Sequence, residues 1–166
     1  MRIKKSHYPF VNAYIASAAI GSKIYLAGGY GEASPNAGLK YMKELFEYGA
    51  SAVELNGKIY VFGGFNNAGA ALTTLEVYDS EENSWSTKAN MPEAKGYCDA
   101  VADGGIFAIG GSNGYNSTNT VYQYSPTMDK WYHWPGLEDA LEGPASANAN
   151  GGIYIICISR SVLYLQ

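Results

Sequence analysis

The chain has 166 residues, 47% of them hydrophobic and only 16% charged, with 20 glycines, 15 tyrosines and a net charge of −4. That composition excludes a disordered chain, and the negative balance gives no general attraction to nucleic acid or to an anionic membrane surface. No run of about 18 apolar residues occurs, so nothing reads as a membrane-spanning helix.

Arg2, Lys4 and Lys5 precede an apolar stretch from Phe10 to Ile20, in the manner of a signal peptide. His7, Pro9, Asn12 and Tyr14 interrupt it, so the expected location is cytoplasmic. Four segments then recur: Ser22-Lys23-Ile24-Tyr25, Gly57-Lys58-Ile59-Tyr60, Gly104-Gly105-Ile106-Phe107 and Gly151-Gly152-Ile153-Tyr154. Their isoleucines stand 35, 47 and 47 residues apart, near the ~40–50 expected of propeller blades. Three of the segments continue into glycine doublets, Gly28-Gly29, Gly63-Gly64 and Gly110-Gly111.

Each repeat predicts four strands. Strand a lies near 14–20, 50–55, 97–102 and 144–149, rich in small residues such as Ala16, Ala18, Ser51, Ala52, Ala100 and Ala147. Asn56-Gly57, Asp103-Gly104 and Asn150-Gly151 tolerate the positive φ that a two-residue hairpin turn requires, and so join strand a to strand b. Strand c ends on a tyrosine, Tyr78 or Tyr124, and seven residues later Trp85 or Trp131 opens the outermost strand d.

These landmarks together resemble the kelch family of β-propellers. Carrying the resemblance are the three doublets, Tyr78 with Trp85, Tyr124 with Trp131, and Met91-Pro92 in the linker position. The stretch from Ile106 to Trp131 is most similar to kelch-like substrate adaptors. The expected fold is all-β: a kelch-type propeller of about three and a half to four four-stranded blades, with repeats near 14–49, 50–96, 97–143 and 144–166.

The first repeat departs from the pattern, being twelve residues short. Leu45-Phe46-Glu47-Tyr48 matches Leu75 to Tyr78, which makes Tyr48 a strand-c tyrosine, while the spacing of Leu39, Met42 and Phe46 also allows a short helix. In the fourth repeat Cys157-Ile158 replaces the doublet, and no strand d follows Val162-Leu163-Tyr164. Residues 2–6 stand in the phase of a strand d, so residues 1–13 could supply a closing outer strand. The alternative is an open fragment of a longer protein, which the damaged first repeat favours; an open ring would allow a homodimer.

No catalytic or metal-binding constellation emerges. His7 and His133 are the only histidines, Cys98 and Cys157 read as small buried residues, and no phosphate loop is present. The expectation is no cofactor, no metal and no catalytic residue. What remains is a surface. The b–c loops (30–40, 65–71, 112–119) and the d–a connections (90–96, 135–143) emerge on one face of a propeller. Phe65, Asn66, Asn67, Asn113, Tyr115 and Asn116 are the aromatic and amide residues there suited to binding a protein partner, with Phe65 and Tyr115 foremost. The expected function is a non-catalytic protein-interaction module, a substrate-recognition fragment by resemblance. Two alternatives remain: a sialic-acid mutarotase or epimerase, as in some bacterial kelch propellers, and a truncated propeller without activity of its own. Against the enzyme, Arg2 and Arg160 are the only arginines available to hold an acidic sugar.

Overall fold

The computed structural model describes residues 15–21, 23–27, 41–42, 48–156 and 162–165. Residues 1–14, the doublet Gly28-Gly29, Leu45 to Glu47 and Cys157 to Arg160 lie outside them, so the closing strand, the first doublet and the altered fourth doublet do too. The described elements are all strands: β1 (Ala16–Ile20), β2 (Lys23–Ala27), β3 (Tyr41–Met42), β4 (Tyr48–Leu55), β5 (Lys58–Phe65), β6 (Leu75–Asp79), β7 (Ser84–Thr87), β8 (Asp99–Ala102), β9 (Ile106–Ile109), β10 (Val121–Ser125), β11 (Lys130–Trp134), β12 (Ala145–Ala149), β13 (Gly152–Ile156) and β14 (Val162–Leu165). They form four sheets in chain order: β1-β2-β3, β4-β5-β6-β7, β8-β9-β10-β11 and β12-β13-β14. The inner strands lie side by side, β1 against β4, β4 against β8 and β8 against β12.

Local chemistry sets the hairpins. Asn56 and Gly57 (φ 54° and 76°) and Asn150 and Gly151 (51° and 75°) both take left-handed pairs, as two-residue turns demand. The third hairpin corrects the expected pattern. Ala102 pairs with Ile106, so the loop there has three residues and only Gly104 is left-handed. Tyr78 pairs with Trp85 and Tyr124 with Trp131 across the c–d hairpins, and strand d opens one residue before each tryptophan, at Ser84 and Lys130.

The first sheet brings two further corrections. Tyr48 is not a strand-c residue but the first residue of β4, paired with Phe65. The third strand of the first sheet is Tyr41–Met42, which runs parallel to β2, and a helix is excluded at those two positions.

Each core lies between sheets, not within one. Ile59 and Val61 pack with Tyr25 and Ala27 of the first sheet, Ile106 and Ala108 with Tyr60 and Phe62 of the second, and Ile153 and Ile155 with Phe107 and Ile109 of the third. Alternation along strand b therefore sends one set of side chains to the preceding blade and the other to the next. Ile24 shows the consequence. It is the equivalent of the buried Ile59, Ile106 and Ile153, yet it is 64% exposed, because no described sheet precedes its own.

Polar ties reinforce the seam between the second and third sheets. Asp129 accepts hydrogen bonds from Ala89 N (2.8 Å) and from the Tyr124 hydroxyl (2.7 Å). Those bonds, the backbone one foremost, hold its carboxyl below the ordinary 3.8. A carboxylate with a lowered folded-state pKa contributes stability above about pH 3.8, and loses it as pH falls through the folded value. Asp129→Asn should therefore lower stability at pH 7 by about 1 kcal/mol, allowing for the exposed carboxylate. In urea titrations the difference from wild type should narrow below about pH 3.8. A difference that stays constant down to about pH 2 would contradict the assignment.

Candidate functional site

The loops after strand b and the connections after strand d meet at one end of the sheets, forming the upper face. Backbone bonds lock them together: Gly64 N donates to Lys95 O (3.0 Å), Lys95 N to Leu72 O (3.1 Å) and Leu141 N to Thr118 O (3.0 Å). Neighbouring blades are joined at the inner rim, where Tyr97 N donates to Gly49 O and Gly143 N to Tyr97 O (both 2.8 Å). Gly49, Tyr97 and Gly143 thus hold equivalent places at the entry to successive strands a, Gly49 as the second residue of β4 and the other two just ahead of β8 and β12. All three are left-handed, with φ of 67°, 51° and 63°. For glycine that is ordinary; for a tyrosine it is strained, and such strain gathers at functional sites.

The Tyr97 ring lies 5.1 Å from Phe65 and 6.3 Å from Tyr48, and Phe65 stacks on Tyr48 at 5.2 Å. This trio floors a cleft of about 300 Å³, walled by Gly69, Ser112, Gly114, Tyr115, Asn116, Ser117 and Glu142. Phe65 is therefore not on the b–c loop where its sequence position suggested. It ends β5 and is 3% exposed, and packing accounts for it, although it still lines the cleft. Tyr115 is the reverse case, 93% exposed at the tip of its loop.

The asparagines divide by role. Asn66 Oδ1 accepts from Ala68 N and Ala70 N (both 3.0 Å), and Asn113 Oδ1 from Tyr115 N and Asn116 N (both 2.9 Å). Both side chains are committed to holding their loops. Asn67 and Asn116 are exposed, and no side-chain hydrogen bond to either is found among the described residues. Phe65, Tyr115 and Asn116 line this cleft; Asn66, Asn67 and Asn113 do not.

Lys95 and Tyr97 were missed in the sequence. Lys95 is fully buried. Its Nζ donates to Thr120 Oγ1 (2.8 Å) and Thr120 O (3.3 Å), stands 3.7 Å from Glu93 Oε2, and lies over the Tyr122 ring at 4.9 Å. Burial pulls its pKa down, against the opposing pull of Cys98 and Glu93. It braces a connection and does not face solvent. The only hint was its setting in a d–a connection beside Gly96, whose missing side chain leaves room for the Phe65 ring. Tyr97 could have been found as the bulky residue that replaces Gly49 and Gly143.

Among the described residues of this face, the exposed or half-exposed charges are Glu93, Glu138, Asp139 and Glu142, all acidic. Cys98 is buried, as expected, and burial raises its thiol pKa. No group of three metal-ligating side chains forms among the described residues, and no helix there is long and apolar enough to cross a membrane.

Comparison with known proteins places these landmarks in a family. The Kelch motif matches residues 48–92 and 94–136, more than half of the chain. Alpha-scruin of Limulus polyphemus is 31% identical over 109 residues, covering 61% of this chain and 12% of that protein. Human Kelch-like protein 23 is 32% identical over 98 residues, covering 57% and 16%. Spermatocyte protein spe-26 of Caenorhabditis elegans is 28% identical over 175 residues, covering 93% and 31%. The chain thus spans less than a third of the length of each of these relatives. The solved structure of YjhT superposes with a TM-score of 0.69 at 16% identity, over 89% of this chain and 57% of that one, a likeness of fold alone. With the motif spanning both complete sheets, and its doublets, tyrosines and tryptophans at matching places in each, the chain belongs to the kelch-repeat family of β-propellers.

Proposed function

We propose that the chain is a non-catalytic protein-interaction module that receives a partner protein, as a substrate-recognition element, on its upper face between the second and third blades. One observation carries this: Tyr115 stands 93% exposed on a loop that Asn113 holds in shape. A large exposed aromatic on a preformed loop is a low-entropy anchor, the kind of residue that dominates interface energetics. Similarity to Kelch-like proteins supports the class; exposed Asn116 supplies an adaptable polar contact beside the anchor, and exposed Asn67 another on the neighbouring b–c loop.

A photo-crosslinker placed at position 115 should capture a partner, and one at Glu82 in the opposite c–d turn should not. Tyr115→Ala combined with Asn116→Ala should weaken binding of that partner about tenfold or more while leaving thermal stability unchanged. Equal capture from both positions, or undiminished binding by the double variant, would count against this face.

A further inference from the structure

We infer that the cleft between the second and third blades takes a basic side chain of the partner protein, an arginine in preference to a lysine. This rests on the interaction reading above and adds the chemistry of the contact. The floor is aromatic, with the half-buried rings of Tyr48 and Tyr97 backed by the buried Phe65, and Tyr115 on the rim. Glu142 is the one acidic or basic side chain in the lining. A cation is attracted to the faces of such rings and paired by the carboxylate, and the planar guanidinium both stacks and forms a two-pronged bond.

The surroundings agree in sign. Glu138 and Asp139 are exposed on the connection that carries Glu142. Lys95, the cation nearest the cleft in the 88–98 connection, is buried and committed to Thr120 and Glu93. Lys88, at the start of that connection, acts electrostatically on Asp129 of the c–d turn. An anionic partner segment would meet only acidic groups on the described part of this face, and a neutral one would leave Glu142 unanswered. Charge complementarity therefore selects a basic segment. The strained Tyr97 backbone adds a second, independent mark, since glycine would hold that turn more easily yet supply no ring.

N-acetyl-L-arginine amide, titrated into the full chain at low salt and followed by two-dimensional NMR, tests this. It should produce saturable shifts at the amides of Gly69, Tyr97, Gly114 and Tyr115. N-acetyl-L-lysine amide should bind several-fold more weakly, and N-acetyl-L-glutamate amide and N-acetylglycinamide should leave these amides in place. Glu142 and Tyr115 are exposed, so Glu142→Gln and Tyr115→Ala leave the fold intact, and each should raise the arginine dissociation constant at least threefold. Equal shifts with the glutamate or glycine probe, or an arginine constant unchanged in Glu142→Gln, would overturn the assignment. A partner captured through position 115 while the arginine probe shifts nothing would overturn the arginine assignment alone and leave the interaction face standing.

Discussion

Gly63→Ala should leave the chain largely unfolded at room temperature, a loss of more than about 4 kcal/mol. Two effects combine at this position. Its φ of +67° costs an alanine about 1 kcal/mol or somewhat more in backbone strain. The larger effect is space. A Cβ there would lie 2.2 Å from Lys95 O and 3.1 Å from Met91 Cε, far inside contact distance. The carbonyl cannot retreat cheaply, because it accepts the Gly64 N–H at 3.0 Å and belongs to a residue whose side chain is buried. Relieving the clash means moving the whole 88–98 connection that caps the blade. Gly57→Ala is the control. Its φ is +76°, but nothing lies within 4 Å of the added methyl, so only the strain of about 1 kcal/mol applies. Urea denaturation followed by circular dichroism compares the two. Similar midpoints would show that close approach is not what the doublet provides. Gly110 repeats the geometry against Leu141 O at 2.6 Å and should behave like Gly63.

That contact also explains which parts of the fold were legible beforehand. Spacing alone located the doublets Gly63-Gly64 and Gly110-Gly111, the Asn56-Gly57 and Asn150-Gly151 turns and the tyrosine and tryptophan of each c–d hairpin, because each recurs at a fixed phase and has a local backbone cause. Errors arose where one residue type serves two purposes. Phe65 follows a doublet as a loop anchor would, but β5 runs through Gly63 and Gly64 and carries Phe65 back under Tyr48 and Tyr97. Tyr48 closes a segment resembling Leu75 to Tyr78, yet it opens a strand. Lys95 was illegible for a different reason. A lysine in a connection with proline and glutamate reads as solvated, and its partner Thr120 is 25 residues away, brought near only by blade packing. Ile24 makes the same point about context: its repeat position matches Ile59, but burial depends on which sheet precedes it. The cleft followed the same logic. Tyr115 was visible in the sequence; Tyr97 and Glu142 join it only because two successive d–a connections lie against one b–c loop.

Trp131→Ala should cost about 3–5 kcal/mol, although the residue sits on the outermost strand of its sheet. The reason is the seam. Trp131 is buried, meets Phe62 of the preceding blade edge-on at 5.8 Å and Tyr124 of its own blade at 5.2 Å, and donates from Nε1 to Ala89 O at 2.8 Å. Truncation removes apolar area from both blades and leaves a cavity that neither sheet can collapse to fill. It also strands the Ala89 carbonyl beside the backbone N–H that Asp129 holds. Trp131→Phe keeps most of the ring but loses that bond, and should cost about 1–2 kcal/mol. Trp85 occupies the same position in the second blade but is only half-buried, packing on Tyr78 at 5.2 Å, so Trp85→Ala should cost clearly less than Trp131→Ala. Hydrogen exchange sharpens the comparison. In Trp131→Ala, amides of both β6 and β10 should lose protection together, because the seam couples the two blades. Loss confined to β10 and β11, or a cost no greater than that of Trp85→Ala, would mean that each blade is held chiefly by its own sheet. Blade coupling matters for the upper face as well. The cleft draws Phe65 from the second blade and Tyr115 from the third, so only a rigid seam keeps its walls at a fixed separation.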